Sequence, residues 1–275
     1  MNSLTEEGWN ELADFARRLA TVAGKVILPL FRTPGAVDNK MDGGFDPVTE
    51  ADRSAELAMR EVIERVYPDH GITGEELESK PPNSEFNWIL DPIDGTRSFI
   101  CGMPTWTTLI ALTCKGKSVL GLVSQPFVQE IFIGGIYGSW SETTSGRHRL
   151  AVRPAANISE AILTTVAPEN YKSEKQKRVL QALRDRTRMT RFGGDAYFFA
   201  MLASGFVDIA IDAGLEAYDI AALVPIIEGA GGIITTWDGC EATGGGDIIA
   251  AASPALHAAA IEIIREQIGL DPCPR

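Results

Sequence analysis

A chain of 275 residues, 45% of them hydrophobic, is long enough for one large domain or two small ones with a real core. Its net charge of −12 argues against a nucleic-acid binder, which displays a basic patch, yet leaves phosphorylated small molecules open if a cation intervenes. The opening MNSLTEEGWN has no apolar leader and no apolar run reaches the length of a bilayer, so the expectation is a cytoplasmic protein with no membrane or nucleic-acid partner. Cys101, Cys114, Cys240 and Cys273 form no Cys-x-x-Cys and read as reduced thiols.

In chain order, Leu12, Phe15, Leu19, Val22, Val26 and Leu30 recur near the helical period, which predicts a helix over 9–31 ended by RTPG. Ala55, Met59, Val62 and Val66 predict the apolar face of a second helix, stopping before Pro68. Phe86, Trp88, Ile89 and Leu90 favour a packed strand. WTTLIALTC, SVLGLVSQP and EIFIGGIYG follow as strands, and short turns such as Lys115-Gly116-Lys117 imply antiparallel pairing. The polar stretch 139–149 marks a boundary. Beyond it, strands and helices alternate: AILTTVA, a helix over 173–186, RMTRF, a helix over 195–204, FVDIAID, a helix over 219–229, GGIITTW, DIIAAAS and a helix over 254–268. The domains expected are an N-terminal α+β part (1–145), a C-terminal α/β part (146–270) and a frayed tail (271–275).

The strand at 86–90 runs straight into Asp91 and Asp94, with Pro92 between them and Gly95-Thr96 behind. One such acid reads as a turn residue or helix cap. Here acids recur in comparable places: Glu75 and Glu76 after a short strand, Asp219 opening a helix, and Asp52 at the start of the second helix. Brought together, at least four carboxylates would repel and drive pKa values upward, a penalty that a hard divalent cation removes. Carboxylates with a backbone carbonyl suit Mg²⁺ or Mn²⁺ rather than zinc. Gly95 admits close approach to a ligand, and amides at the start of the following helical turn face an anion. Thr96 adds a hydroxyl to position water, with Asp52 as its acceptor. The set is what metal-assisted phosphoester hydrolysis needs. A phosphoaspartate site of the D-x-D-G-T kind does not fit, because Pro92 stands two residues before Asp94.

GEE at 74–76, WILDPIDGT at 88–96 and YDIAALVPIIEGAGG at 218–232 resemble, in order and spacing, the three signatures of the inositol monophosphatase superfamily. The resemblance spans nearly the whole chain. It implies an α/β protein with the layered α-β-α-β-α sugar-phosphatase fold, two or three Mg²⁺ ions per site with Mn²⁺ as substitute, direct attack by water, and a homodimer. By position it implies metal ligation by Glu75, Asp91, Asp94, Asp219 and the Ile93 carbonyl. That makes 1–145 a metal-binding part and 146–270 a substrate-binding part. It implies a water-activating pair in Thr96 and Asp52, with Glu75 also catalytic, and phosphate contacts from the Gly95 and Thr96 amides. Glu76 is expected to be a supporting or solvated neighbour. Tyr218 stands where the family usually has Trp, an exchange of one aromatic for another.

Three further acids bear on the substrate. Asp195 falls where polyol phosphatases carry a small residue, Glu216 where inositol enzymes often carry His, and Asp212 at a commonly acidic position. Together they favour a cationic leaving group and resemble the histidinol-phosphatase branch, whose small phosphomonoester carries an amine and an imidazole. A plainer reading of Asp195 is a cap on the helix that follows. The alternatives are an inositol or polyol monophosphate phosphatase and a non-catalytic binding protein that keeps the fold. His70, His148 and His257 lie outside the motifs and read as structural or solvated.

Overall fold

The computed structural model describes residues 4–33, 37–39, 47–154 and 157–269; the expected tail lies outside them. The chain runs α1 (Glu6–Ile27), β1 (Val37–Asn39), β2 (Pro47–Thr49), α2 (Glu50–Val66), β3 (Gly71–Gly74), β4 (Phe86–Asp94), α3 (Thr96–Ile100), β5 (Thr107–Cys114), β6 (Lys117–Gln125), β7 (Glu130–Gly135), β8 (Gly138–Thr143) and β9 (Gly146–Arg149). It continues through β10 (Ile162–Thr165), α4 (Glu174–Arg186), β11 (Met189–Phe192), α5 (Asp195–Ala203), β12 (Ile209–Leu215), α6 (Ala217–Ile220), α7 (Leu223–Gly229), β13 (Ile233–Thr236), β14 (Gly246–Ala251) and α8 (Pro254–Ile268). No helix among the described residues is long and apolar enough to cross a membrane.

Strands β3 to β9 form a seven-stranded sheet in sequence order, antiparallel except for the β3–β4 pair. A second sheet has the order β11-β10-β12-β14-β13, beside a small β1–β2 pair. Side chains alternate across a strand, and β4 and β5 bury both faces. Trp88, Leu90, Ile110 and Leu112 pack under α1 and α2. Ile89, Leu109 and Ala111 pack against α5, α6 and α7, which also cover Ala210, Ile248 and Ala250 of the second sheet. The far face of that sheet, with Leu163, Ile209, Ile211 and Ile249, is closed by α4 and α8. The result is the α-β-α-β-α layering. Its middle core is shared by both halves of the chain.

The structure departs from the sequence expectations in particular places. Helix α1 starts at Glu6, because Thr5 accepts the Gly8 N–H and supplies the cap, and stops at Ile27; Leu30 still packs on the core from the turn beyond. On α2 the buried face is Ala51, Asp52, Ala55, Glu56, Met59, Arg60 and Ile63, while Val62 is half-buried and Val66 exposed. Paired polar residues turn the helix away from its most apolar stripe. The polar stretch 139–149 is the β8–β9 hairpin, so the chain leaves the first sheet after Arg149 rather than at 145. The polarity there reflects an exposed edge.

The helix expected over 219–229 is two, α6 and α7. Pro225 has no N–H to give Ala221, four residues back, and the freed Ala221 carbonyl instead accepts the Ser118 hydroxyl at 2.8 Å. Cys101 and Cys114 are free, but Cys240 is disulfide-bonded, which corrects the reading of four reduced thiols. His70 accepts the Trp88 indole N–H at 3.1 Å and stacks on Tyr67, and His257 pairs with the Thr235 hydroxyl at 2.8 Å, both structural contacts.

Candidate active site

Strand β4 carries the acids to the junction of the two halves. Its pairing with β5 slips between Asp91 and Asp94, so Asp91 faces Leu109 and Asp94 faces Thr107. Pro92, whose carbonyl accepts the Thr108 hydroxyl at 2.8 Å, and Ile93 form the irregularity. Gly95 then turns the chain into α3 with φ 79° and ψ 41°, a left-handed conformation that suits glycine. The Thr96 hydroxyl donates back to the Ile93 carbonyl at 3.1 Å.

The acids meet there. Oxygen atoms of Asp91, Asp94 and Asp219 lie within 4.8 Å of one another. Asp219 sits on the first turn of α6, where its carboxylate accepts the Glu216 N–H at 2.7 Å. The Asp94 carboxylate accepts the Ala196 N–H at 2.7 Å, which ties β4 to α5. Asp52, 1% exposed in the first turn of α2, is near enough to raise the Asp91 pKa. Burial is the main cause of the upward shifts at Asp91 and Asp94, and neighbouring acids add to it: Glu75, Asp94, Asp219 and Asp52 for Asp91, and Asp195, Asp219 and Glu75 for Asp94. Burial likewise lifts Asp219 to about 7.

This donor set fits a divalent cation. Three carboxylates converge, and one oxygen of Asp91, Oδ1, is buried without a hydrogen-bond partner, a costly arrangement for a charged group unless a cation completes it.

A cleft of about 260 Å³ opens above the cluster, lined among others by Glu75, Asp94, Gly95, Thr96, Asp195, Asp212 and Asp219. Asp91 and Ile93 lie buried beneath it. Asp195 opens α5 at φ 42°, but it does not cap the helix; Gly194 holds the cap position without a side-chain bond. Its carboxylate accepts the Ser98 hydroxyl at 3.3 Å and lies against Gly95. Burial raises its pKa, against the opposing pull of Ser98 and Arg97. Asp212 accepts the Thr165 hydroxyl at 2.8 Å and the Val166 N–H at 2.9 Å, and burial lifts it to about 7. Glu216 is exposed and caps α6, outside the cleft lining.

Sequence reasoning gave no role to Arg97, the basic residue beside the Asp91–Asp94 pair and the one cation among the described residues lining the cleft, whose guanidinium donates to Asn170 at 3.2 Å. It also passed over Glu56 and Arg60, which follow Asp52 at four-residue steps along α2 and are buried. That spacing of charges on an otherwise apolar face was the available signal.

A family model described as the inositol monophosphatase family matches residues 9–269, and the chain belongs to that family. Among curated proteins, the bifunctional phosphatase IMPL2 of Arabidopsis thaliana is 41% identical over 240 residues, covering 86% of this chain and 68% of that protein. A histidinol-phosphatase of Chlorobaculum parvum is 34% identical, with coverage of 88% and 92%. The Nus factor SuhB of Pasteurella multocida is 32% identical, with coverage of 96% and 97%. Among solved structures, an inositol monophosphatase from Zymomonas mobilis superposes with a TM-score of 0.83 at 36% identity, covering 94% of this chain and 98% of that one.

Proposed function

We propose that this chain is a divalent-cation-dependent phosphomonoesterase that prefers histidinol phosphate, with Mg²⁺ as its ion and Mn²⁺ as a substitute. The observation that carries the substrate choice is Asp195, a half-buried carboxylate on the cleft wall that lies beyond the metal-facing trio and does not serve its own helix as a cap. An amine or imidazolium on the leaving group would give it a charge-assisted partner. The similarity to a histidinol-phosphatase supports the same choice.

Glu75, Asp91, Asp94, Asp219 and the Ile93 carbonyl would hold the cations. When bound there, the metal supplies Lewis-acid polarisation and lowers the pKa of a bound water. The chain's own residues do the rest. The Gly95 and Thr96 amides orient the phosphate. Thr96, with Asp52 and Glu75 as acceptors, aligns a water for in-line attack on phosphorus. Asp195 anchors the leaving group and Asp212 supports the wall beside it. Glu216, exposed at the α6 cap, contributes at most to the field at the rim.

The test compares kcat/KM for histidinol phosphate and inositol 1-phosphate in saturating Mg²⁺. Preference for histidinol phosphate supports the proposal. Equal or better turnover of the inositol ester would make the chain a polyol phosphatase, and no phosphate release from either would favour a binding protein that keeps the fold.

A further inference from the structure

Helix α2 sets Asp52, Glu56 and Arg60 in one stripe at four-residue steps, and their exposures are 1%, 0% and 8%. The two oxygens of Glu56 have separate partners. One accepts Arg60 Nε at 2.6 Å, and the other accepts the backbone N–H of Glu76 at 2.8 Å. Arg60 spreads its remaining nitrogens over the same loop, donating to the Glu78 carbonyl at 2.9 Å and the Leu77 carbonyl at 3.1 Å. Three consecutive backbone units after Glu75 are therefore held by one buried ion pair. On the other side, the Glu75 N–H donates to the Leu90 carbonyl of β4 at 3.2 Å. Gly74 makes room for the arrangement, since a Cβ there would lie 2.0 Å from a Glu56 oxygen.

A buried ion pair is a weak source of stability, because removing both charges from water offsets most of their attraction. Its geometric effect is definite. A loop follows β3, and the pair holds its backbone from α2 while the Leu90 carbonyl holds Glu75 from β4. We propose that Glu56 and Arg60 are positioning residues that fix the Glu75 carboxylate toward the acidic cluster. They do so from the same helix that carries Asp52, so α2 sets both groups in one register. This rests on the reading of the cluster as a divalent-cation site.

The experiment follows Mn²⁺ binding by electron paramagnetic resonance and calorimetry, with thermal unfolding in EDTA alongside. Arg60→Lys keeps a positive charge near Glu56 but cannot span both carbonyls. Its Mn²⁺ affinity should fall about tenfold, the scale at which groups supporting metal ligands act. If Arg60→Lys fails to fold, the neutral double variant Glu56→Gln/Arg60→Met is read by the same criterion. Wild-type Mn²⁺ affinity in a folded variant, with only the melting temperature lowered, overturns the proposal and leaves the pair a loop staple. Absence of Mn²⁺ binding by the unaltered protein overturns it differently, by removing the cation site itself.

Discussion

Asp94 Oδ2 accepts the backbone N–H of Ala196 at 2.7 Å, so an acid at the end of β4 supplies the capping acceptor that Gly194 cannot offer to α5. One carboxylate thus serves the acidic cluster and the joint between the two halves. Asp94→Asn keeps an oxygen for Ala196 and should fold, as circular dichroism would show. It loses the charge toward the cluster, worth several kcal/mol of transition-state stabilisation, so phosphate release should drop by at least about a hundredfold. Near-normal turnover in the folded variant would remove Asp94 from the site. Asp94→Ala should in addition lose about 1 kcal/mol of stability with the cap.

A Cβ on Gly95 would sit 2.8 Å from Asp195 Oδ2, at a left-handed φ of 79°. Gly95→Ala should cost about 1–2 kcal/mol in backbone strain and push Asp195 off its position, lowering the melting temperature and kcat/KM together. Removing the Asp195 side chain relieves only the contact. A double-mutant cycle with Asp195→Ala should therefore show coupling on the order of 1 kcal/mol; simple additivity would mean that the two residues do not press on each other.

Asp195→Asn retains an acceptor for Ser98 and removes the charge. If Asp195 holds a cationic leaving group, kcat/KM for histidinol phosphate should fall by about 10- to 150-fold, the worth of a charge-assisted hydrogen bond of roughly 1.5–3 kcal/mol. A neutral polyol phosphate should be nearly unaffected. The ratio between the substrates is the measurement that decides, and equal losses on both would make Asp195 structural. Glu216→Gln, exposed and off the cleft lining, should change the ratio less than twofold, on the scale of a solvent-screened charge.

Burial raises Asp212 and Asp219 to about 7, and shifts Asp91 and Asp94 in the same direction. A carboxyl whose pKa rises on folding binds its proton more tightly in the folded state. Its contribution to stability is complete below the unfolded value near 4 and is lost as pH rises through about 7. In EDTA, the melting temperature of the unaltered protein relative to Asp212→Asn should therefore decline between pH 4.5 and 8. Mg²⁺ should raise the melting temperature more at pH 8 than at pH 5.5, because the cation takes the place of the protons. A relative melting temperature that climbs with pH would contradict these shifts.

Much of the molecule is written locally in the chain. The apolar period of α1, the alternation that buries both faces of β4 and β5, and the acids at strand ends and helix starts all depend on neighbours a few residues away. WILDPIDGT and its companion motifs carry the family resemblance for the same reason, since each packs its chemistry into one turn. The tertiary structure decided what depends on distant residues. The 139–149 stretch became a hairpin because β8 had a sheet edge to join. The split at Ala221 is accommodated because Ser118, 103 positions earlier, accepts the task of satisfying its carbonyl. Asp195 faces the cleft rather than its own helix because Asp94 of another element already holds the Ala196 N–H. Glu56 and Arg60 look like solvated helix charges until the loop after β3 folds over them and brings backbone groups that no local pattern encodes. Buried polar groups must find partners wherever the fold brings them, so these roles were settled only when the layers closed.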